Sequence, residues 1–126
     1  MTSRDQILLA LEAALRFGET SIIVRSSDAI AEVHGLLTLR QGTEWTTLGE
    51  EGQTHVHLKI ENGCTLRYTQ PTEGNATLEL SGLRGDLICR VSFRGTNQAR
   101  PENYNSERAA QVRERFGHPA NECATT

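Results

Sequence analysis

The chain has 126 residues, 37% of them apolar, only six of them aromatic, and a formal charge of −3. That length suits one ordinary domain, residues 1–126, able to bury a core without staples. The charge offers no basic excess to neutralise nucleic-acid phosphates, and no apolar run approaches a membrane span, so neither partner is expected. No basic segment followed by an uninterrupted apolar one opens the chain, so no signal peptide is expected. The three cysteines, Cys64, Cys89 and Cys123, are widely spaced, odd in number and without a C-x-x-C pattern. Together these features point to a cytoplasmic protein with reduced thiols, in which the Asn75-Ala76-Thr77 sequon carries no glycan.

Residues 4 to 17 read as a helix. Ser3 is placed to cap it, with Gln6 at the capping-box spacing, and Ile7, Leu8, Leu11, Ala14 and Leu15 recur along one face. Gly18 follows as a stop. From Ser21 to Phe93 the pattern changes to short strands and turns. Residues 21–25 form an apolar strand, Ser26-Ser27-Asp28 a turn, and residues 29–39 two strands or one bent at Gly35. Gln41-Gly42-Thr43 is a second turn, followed by a strand from Glu44 to Leu48. Residues 49–52 break the chain before Thr54-His55-Val56-His57-Leu58-Lys59-Ile60, which alternates strictly. Val56, Leu58 and Ile60 share one face. His55, His57 and Lys59 share the other, with the two histidines about 7 Å apart along the strand.

The turn after this strand can be registered from faces alone. A three-residue loop, Glu61-Asn62-Gly63, pairs Ile60 with Cys64 and Leu58 with Leu66 and keeps one apolar face. That register sets Arg67 opposite His57 and turns Tyr68 inward. After a loop over residues 70–75, Ala76, Leu78 and Leu80 alternate with polar residues, and Leu87, Cys89, Val91 and Phe93 do the same. The centre of the chain therefore reads as an antiparallel meander. Residues 105–116 form a second helix with Ala109, Val112 and Phe116 as its apolar stripe. Gly117 and Pro119 end it, and 118–126 is a loose tail. The fold class is α+β: an N-terminal helix, a curved antiparallel meander or split barrel, and a C-terminal helix.

His55 and His57 are the first candidates for chemistry, because imidazole is a common metal ligand. Two histidines at i and i+2 need a third ligand from a neighbouring strand to hold zinc. An arginine beside them is a poor metal ligand and a good anion binder. That combination suits an iron–imidazole bond with an arginine–propionate contact better than a zinc site. The plainer alternative is a pair of solvated histidines on an open sheet face. His34, in Val33-His34-Gly35, is a turn or edge histidine on the same terms, and His118 lies near the tail. Arg67, Arg90 and Arg94 form either a basic patch or an ordinary solvated face. No nucleophile elbow, Walker pattern or G-x-G-x-x-G occurs, and Cys64 and Cys89 fall on apolar faces where a thiol is inert.

Val33-His34-Gly35, the turn Leu48-Gly49-Glu50-Glu51-Gly52 and then His57-Leu58-Lys59 resemble the haem-utilisation carriers of ChuX/HutX type. The resemblance continues through residues 78–82, Gly85-Asp86, residues 89–93 and the closing helix 109–116. It covers roughly residues 5 to 117, and Val33-His34 is similar to a Val-His of the related HemS/ChuS half-domains. Val56 stands where those carriers have glycine, and they are longer at the N-terminus and richer in phenylalanine. The resemblance implies a haem-binding protein that holds haem in a cleft of a curved sheet for transport or storage, with a homodimer as a possible assembly. His57 would be the first axial ligand to iron. His34 or His55 would supply a second bond, and Arg67 or Lys59 would meet the propionates. Tyr68 is an alternative ligand through its phenolate. Two other functions stay open: a non-haem ligand-binding or interaction domain on the same fold, and a haem-degrading enzyme. A small metal- or thiol-dependent enzyme has little in the sequence to carry it.

Overall fold

The first helix begins where the sequence places its cap. In the computed structural model, which describes residues 3–50 and 52–117, helix α1 (Arg4–Leu15) starts from Ser3 in an extended conformation. Its hydroxyl accepts from the Gln6 amide while the Gln6 side chain accepts from the Ser3 amide, closing the capping box. Ile7, Leu8, Leu11, Ala14 and Leu15 are buried. The start of α1 is also tied to a distant turn. The Arg4 amide donates to Asn62 Oδ1 and Arg4 Nε to the Ile60 carbonyl, both at 2.8 Å.

Eight strands follow: β1 (Thr20–Arg25), β2 (Ile30–Gly35), β3 (Thr38–Gln41), β4 (Thr46–Gly49), β5 (His55–Leu58), β6 (Thr65–Thr69), β7 (Thr77–Ser81) and β8 (Leu87–Phe93). They divide into a five-stranded sheet of order β2-β1-β8-β7-β6 and a three-stranded sheet of order β3-β4-β5. All ladders are antiparallel, and neither sheet closes on itself. The architecture is α+β, as the pattern predicts, but it is not one meander. Residues 29–39 are two strands, and they belong to different sheets.

The expected hairpin between the histidine strand and its successor is half right. The turn forms: the Cys64 amide donates to the Glu61 carbonyl at 3.2 Å, and Gly63 adopts φ +100°, the left-handed region open to glycine. Its two arms then part. β5 pairs with β4, and β6 pairs with β7. Arg67 therefore stands across from Glu79, and His57 stands across from Thr47. The apolar faces used to choose the register are nevertheless real, since Leu58, Ile60, Cys64 and Leu66 are all buried. Burial of alternate residues is satisfied by a shared core as well as by a shared ladder, and here the core is what the two arms share.

That core is one cluster drawing on both helices and both sheets, including Leu48 and Leu58 from the smaller sheet and Leu66, Leu78, Leu80 and Val91 from the larger. Helix α2 (Ser106–Phe116), capped by Asn105, buries Ala109, Val112 and Phe116 as expected. Phe116 stacks on Phe93 at 5.1 Å between centroids and meets Phe17 edge-on at 5.4 Å, while Phe17 meets Phe93 at 6.5 Å. All three phenylalanines thus seal α2 against the larger sheet. The expected loose tail, with His118, Pro119 and Cys123, lies outside the described residues.

Candidate functional site

The outer face of the three-stranded sheet is built by parity. β4 turns Thr46 and Leu48 inward and Thr47 outward, and β5 turns Leu58 inward and His55 and His57 outward. Both histidines are exposed, and their rings meet edge-on at 4.8 Å between centroids. Opposite His55 the ladder partner is Gly49, with φ +138°. A Cβ there would come within 2.6 Å of the Thr54 carbonyl oxygen and the His55 Cα. Glycine is therefore required for the backbone to carry His55 as it does, and no neighbouring side chain crowds the ring from that position.

Hydrogen bonds orient both imidazoles. His55 Nδ1 lies 2.7 Å from the Gln53 carbonyl. A carbonyl only accepts, so in the neutral ring Nδ1 carries the proton and Nε2 presents a free lone pair. His57 Nδ1 lies 2.9 Å from the Thr47 hydroxyl, which either donates or accepts. One step further across the sheet, Arg40 pairs with Thr47. Arg40, Thr47 and His57 thus form one cross-strand row on the outer face, with Arg40 about 10 Å from His57 at two strand spacings. The sequence reading missed Arg40, because the β3–β4–β5 order that aligns it with His57 is set by tertiary packing. Lys59 lies just beyond β5 and pairs with Glu44 at 3.6 Å. Trp45, just before β4, is 47% exposed.

Other expected ligands are placed elsewhere. Arg67 is exposed on β6, in the other sheet from His57, so the register argument that joined the two is overturned. Tyr68 is half-buried against the core and donates to Gln70 Oε1 at 3.0 Å. Burial raises its phenol above the ordinary value of 10.0, against a smaller opposing pull from Arg113, so the phenolate is disfavoured. Arg90 is held by Glu79 at 3.0 Å, which removes it from any basic patch. Among the described residues no three His, Cys, Asp or Glu side chains gather to hold a free metal ion. Cys89 is fully buried and its thiol is pushed up to about 12 by that burial, so it is no nucleophile.

His34 belongs to a different place. It lies on β2, paired with Ser21 of β1, and faces an open basin of about 710 Å³ over one side of the larger sheet. Arg94, just past β8, donates from Nη1 to His34 Nδ1 at 2.8 Å. A guanidinium only donates, so His34 Nδ1 accepts and the neutral ring carries its proton on Nε2. In this arrangement neither ring nitrogen offers iron a lone pair. The structure brings His55 and His57 together and sets His34 apart from them.

No family model matches the chain, and no curated protein matches it. The same fold is found among solved structures. A crystal structure of ChuX superposes with a TM-score of 0.68 at 18% identity, covering 90% of this chain and 71% of that one. A second structure, of the heme binding protein ChuX, gives 0.58 at 15% identity, covering 87% of this chain and 75% of that one. At such identities it is a likeness of fold.

Proposed function

We propose that this chain binds haem on the outer face of the three-stranded sheet, and carries or stores it. The observation that carries the reading is the exposed His55–His57 pair, with the His55 Nε2 lone pair left open, on a fold shared with a protein described as heme-binding. Porphyrin supplies four ligands to iron, so one or two imidazoles complete the sphere and no third protein ligand is needed. His57 and His55 are the axial candidates, and haem bound there would supply iron as their coordination partner. The fixed tautomer of His55 makes it at least the equal of His57 in this role. Arg40, in the row of His57, takes the propionate role that the overturned register had given to Arg67, and Lys59 adds a second cation. A cytoplasmic location and a homodimer built on the open strand edges belong to the same proposal.

The clustering of all three phenylalanines where α2 meets the larger sheet, away from the histidine face, favours a second reading, in which that face takes a smaller ligand than haem. Hemin titration separates the two. The haem reading expects a Soret band that shifts and saturates near one haem per chain, is lost in a His55→Ala, His57→Ala double variant, and persists in His34→Ala. Saturable binding that survives in the double variant would sink the ligand assignment. Absence of saturable binding by the wild-type chain would sink the haem reading and leave the smaller ligand.

A further inference from the structure

The basin beside His34 gathers several hydrogen-bond donors on one wall. Four side chains on its wall have their acceptor atom already engaged by the protein. Asn75 Oδ1 accepts from the Thr96 amide at 3.3 Å. Asn105 Oδ1 accepts from the Arg108 amide as the helix cap, and Asn97 Oδ1 from the Ala99 amide. His34 Nδ1 accepts from Arg94. Unengaged donors remain on the same wall: the Nδ2 groups of Asn75 and Asn105, His34 Nε2–H, and the rest of the Arg94 guanidinium, beside the side-chain amide of Asn103 and the hydroxyls of Ser21 and Ser92. Arg94 has no carboxylate within ion-pair distance among the described residues. Arg100 also lines the basin, and Asn105 places the N-terminal end of the 11-residue helix α2 at its edge.

The donors stand on a rigid frame. The Thr96 hydroxyl, buried, donates to the Phe93 carbonyl at 2.6 Å and accepts from the Ala76 amide at 2.8 Å, locking the two loops that carry Asn75 and Arg94. Arg108 reaches below to the carbonyls of Phe17, Glu19 and Arg94. Two carboxylates, Glu19 and Glu32, also line the basin. Glu19 interacts with the Arg108 charge, which leaves Glu32 as the unpaired carboxylate of the wall among the described residues.

We infer that this basin is a binding site for a small organic oxyanion, a carboxylate or phosphate, gripped by Arg94 with His34 and the Asn75 and Asn105 amides as co-donors. Guanidinium and amide donors converging on one cavity are the chemistry that recognises such groups. Glu32 selects for a ligand that also carries a hydroxyl or ammonium group. The site is separate from the histidine face of β5 and does not depend on haem.

Calorimetric titration tests it, with inorganic phosphate and with citrate as probes at matched ionic strength. At least one probe is expected to bind saturably at one site per chain, and which one distinguishes phosphate from carboxylate recognition. Arg94→Gln, an exposed and non-disruptive change, is expected to weaken it about tenfold or more. Arg67→Gln, which removes an equal charge from the same sheet outside the basin, is expected to leave it unchanged. Equal weakening by the two variants would reduce the effect to diffuse charge and overturn the assignment. Absence of saturable binding for both probes would overturn it too. Binding that persists in the His55→Ala, His57→Ala double variant separates this site from the haem face.

Discussion

The imidazole of His57 and the hydroxyl of Thr47 face each other across the β4–β5 ladder, 2.9 Å from Nδ1 to Oγ1. A hydroxyl in that place holds the ring's orientation, whichever of the two donates, and so fixes where Nε2 points. Thr47→Val removes the oxygen and keeps the shape. The expected result is about tenfold weaker hemin binding with an unchanged far-UV spectrum. An unchanged hemin affinity would show that Thr47 has no hold on the ligand.

Arg40 and Arg67 give opposing predictions for the same charge change. Arg40 shares a row with His57, and Arg67 lies in the other sheet. Arg40→Gln is expected to lower hemin affinity several-fold and to flatten its salt dependence, as loss of one ion pair should. Arg67→Gln is expected to do neither. Fluorescence quenching by hemin at two ionic strengths checks both, and the reverse ranking would return the propionate role to Arg67.

Cys89 supplies a pH dependence. Its folded-state thiol sits near 12 against an ordinary 9.0, because the anion has no solvation in the core. The native state therefore keeps a proton that the unfolded chain releases between those values. Stability is unaffected below pH 9 and falls as pH climbs toward 12. Urea midpoints measured at pH 8, 9.5 and 10.5 should decline more in the wild type than in Cys89→Ala, each compared with its own value at pH 8. Peptide mapping after alkylation at pH 8 should find Cys89 modified only as fast as the chain opens.

Arg108 ties the α1–β1 connection and the end of β8 to helix α2 by donating to the carbonyls of Phe17, Glu19 and Arg94. Its part-buried guanidinium titrates below the ordinary arginine range because burial disfavours the charge, with Glu19 partly offsetting this. Arg108→Met keeps the aliphatic stem and strands the carbonyls. The expected cost is about 1–3 kcal/mol in urea unfolding. A loss below about 0.5 kcal/mol would mean that water replaces the guanidinium without penalty.

Local rules were enough for the parts of the fold that local chemistry sets. Ser3 and Gln6 announce α1, Asn105 and the Ala109–Val112–Phe116 stripe announce α2, and alternation around His57 gives the correct exposed and buried faces. Partition into two sheets was not legible. A period of two specifies a face and not a neighbour, so Ile60 and Cys64 look the same whether their strands pair or part. The cost of that ambiguity fell on the site: it joined Arg67 to His57 and hid Arg40. The contact between Arg94 and His34 was equally invisible, because it crosses 60 positions of sequence and neither residue carries a local sign of the other.

In the middle of the larger sheet the first strand of the chain pairs with the last, Thr20 lying against Phe93. During synthesis the β1–β2 hairpin thus emerges long before the strand that covers its other edge, and Ile22, which faces Val91 across that ladder, waits with it. Closure of so long a loop is slow compared with hairpin formation. The smaller sheet, made of three strands consecutive in the chain, has no such wait. The ladder behind the histidine face therefore closes over short connections, whereas the sheet beside the oxyanion basin closes only across most of the chain's length.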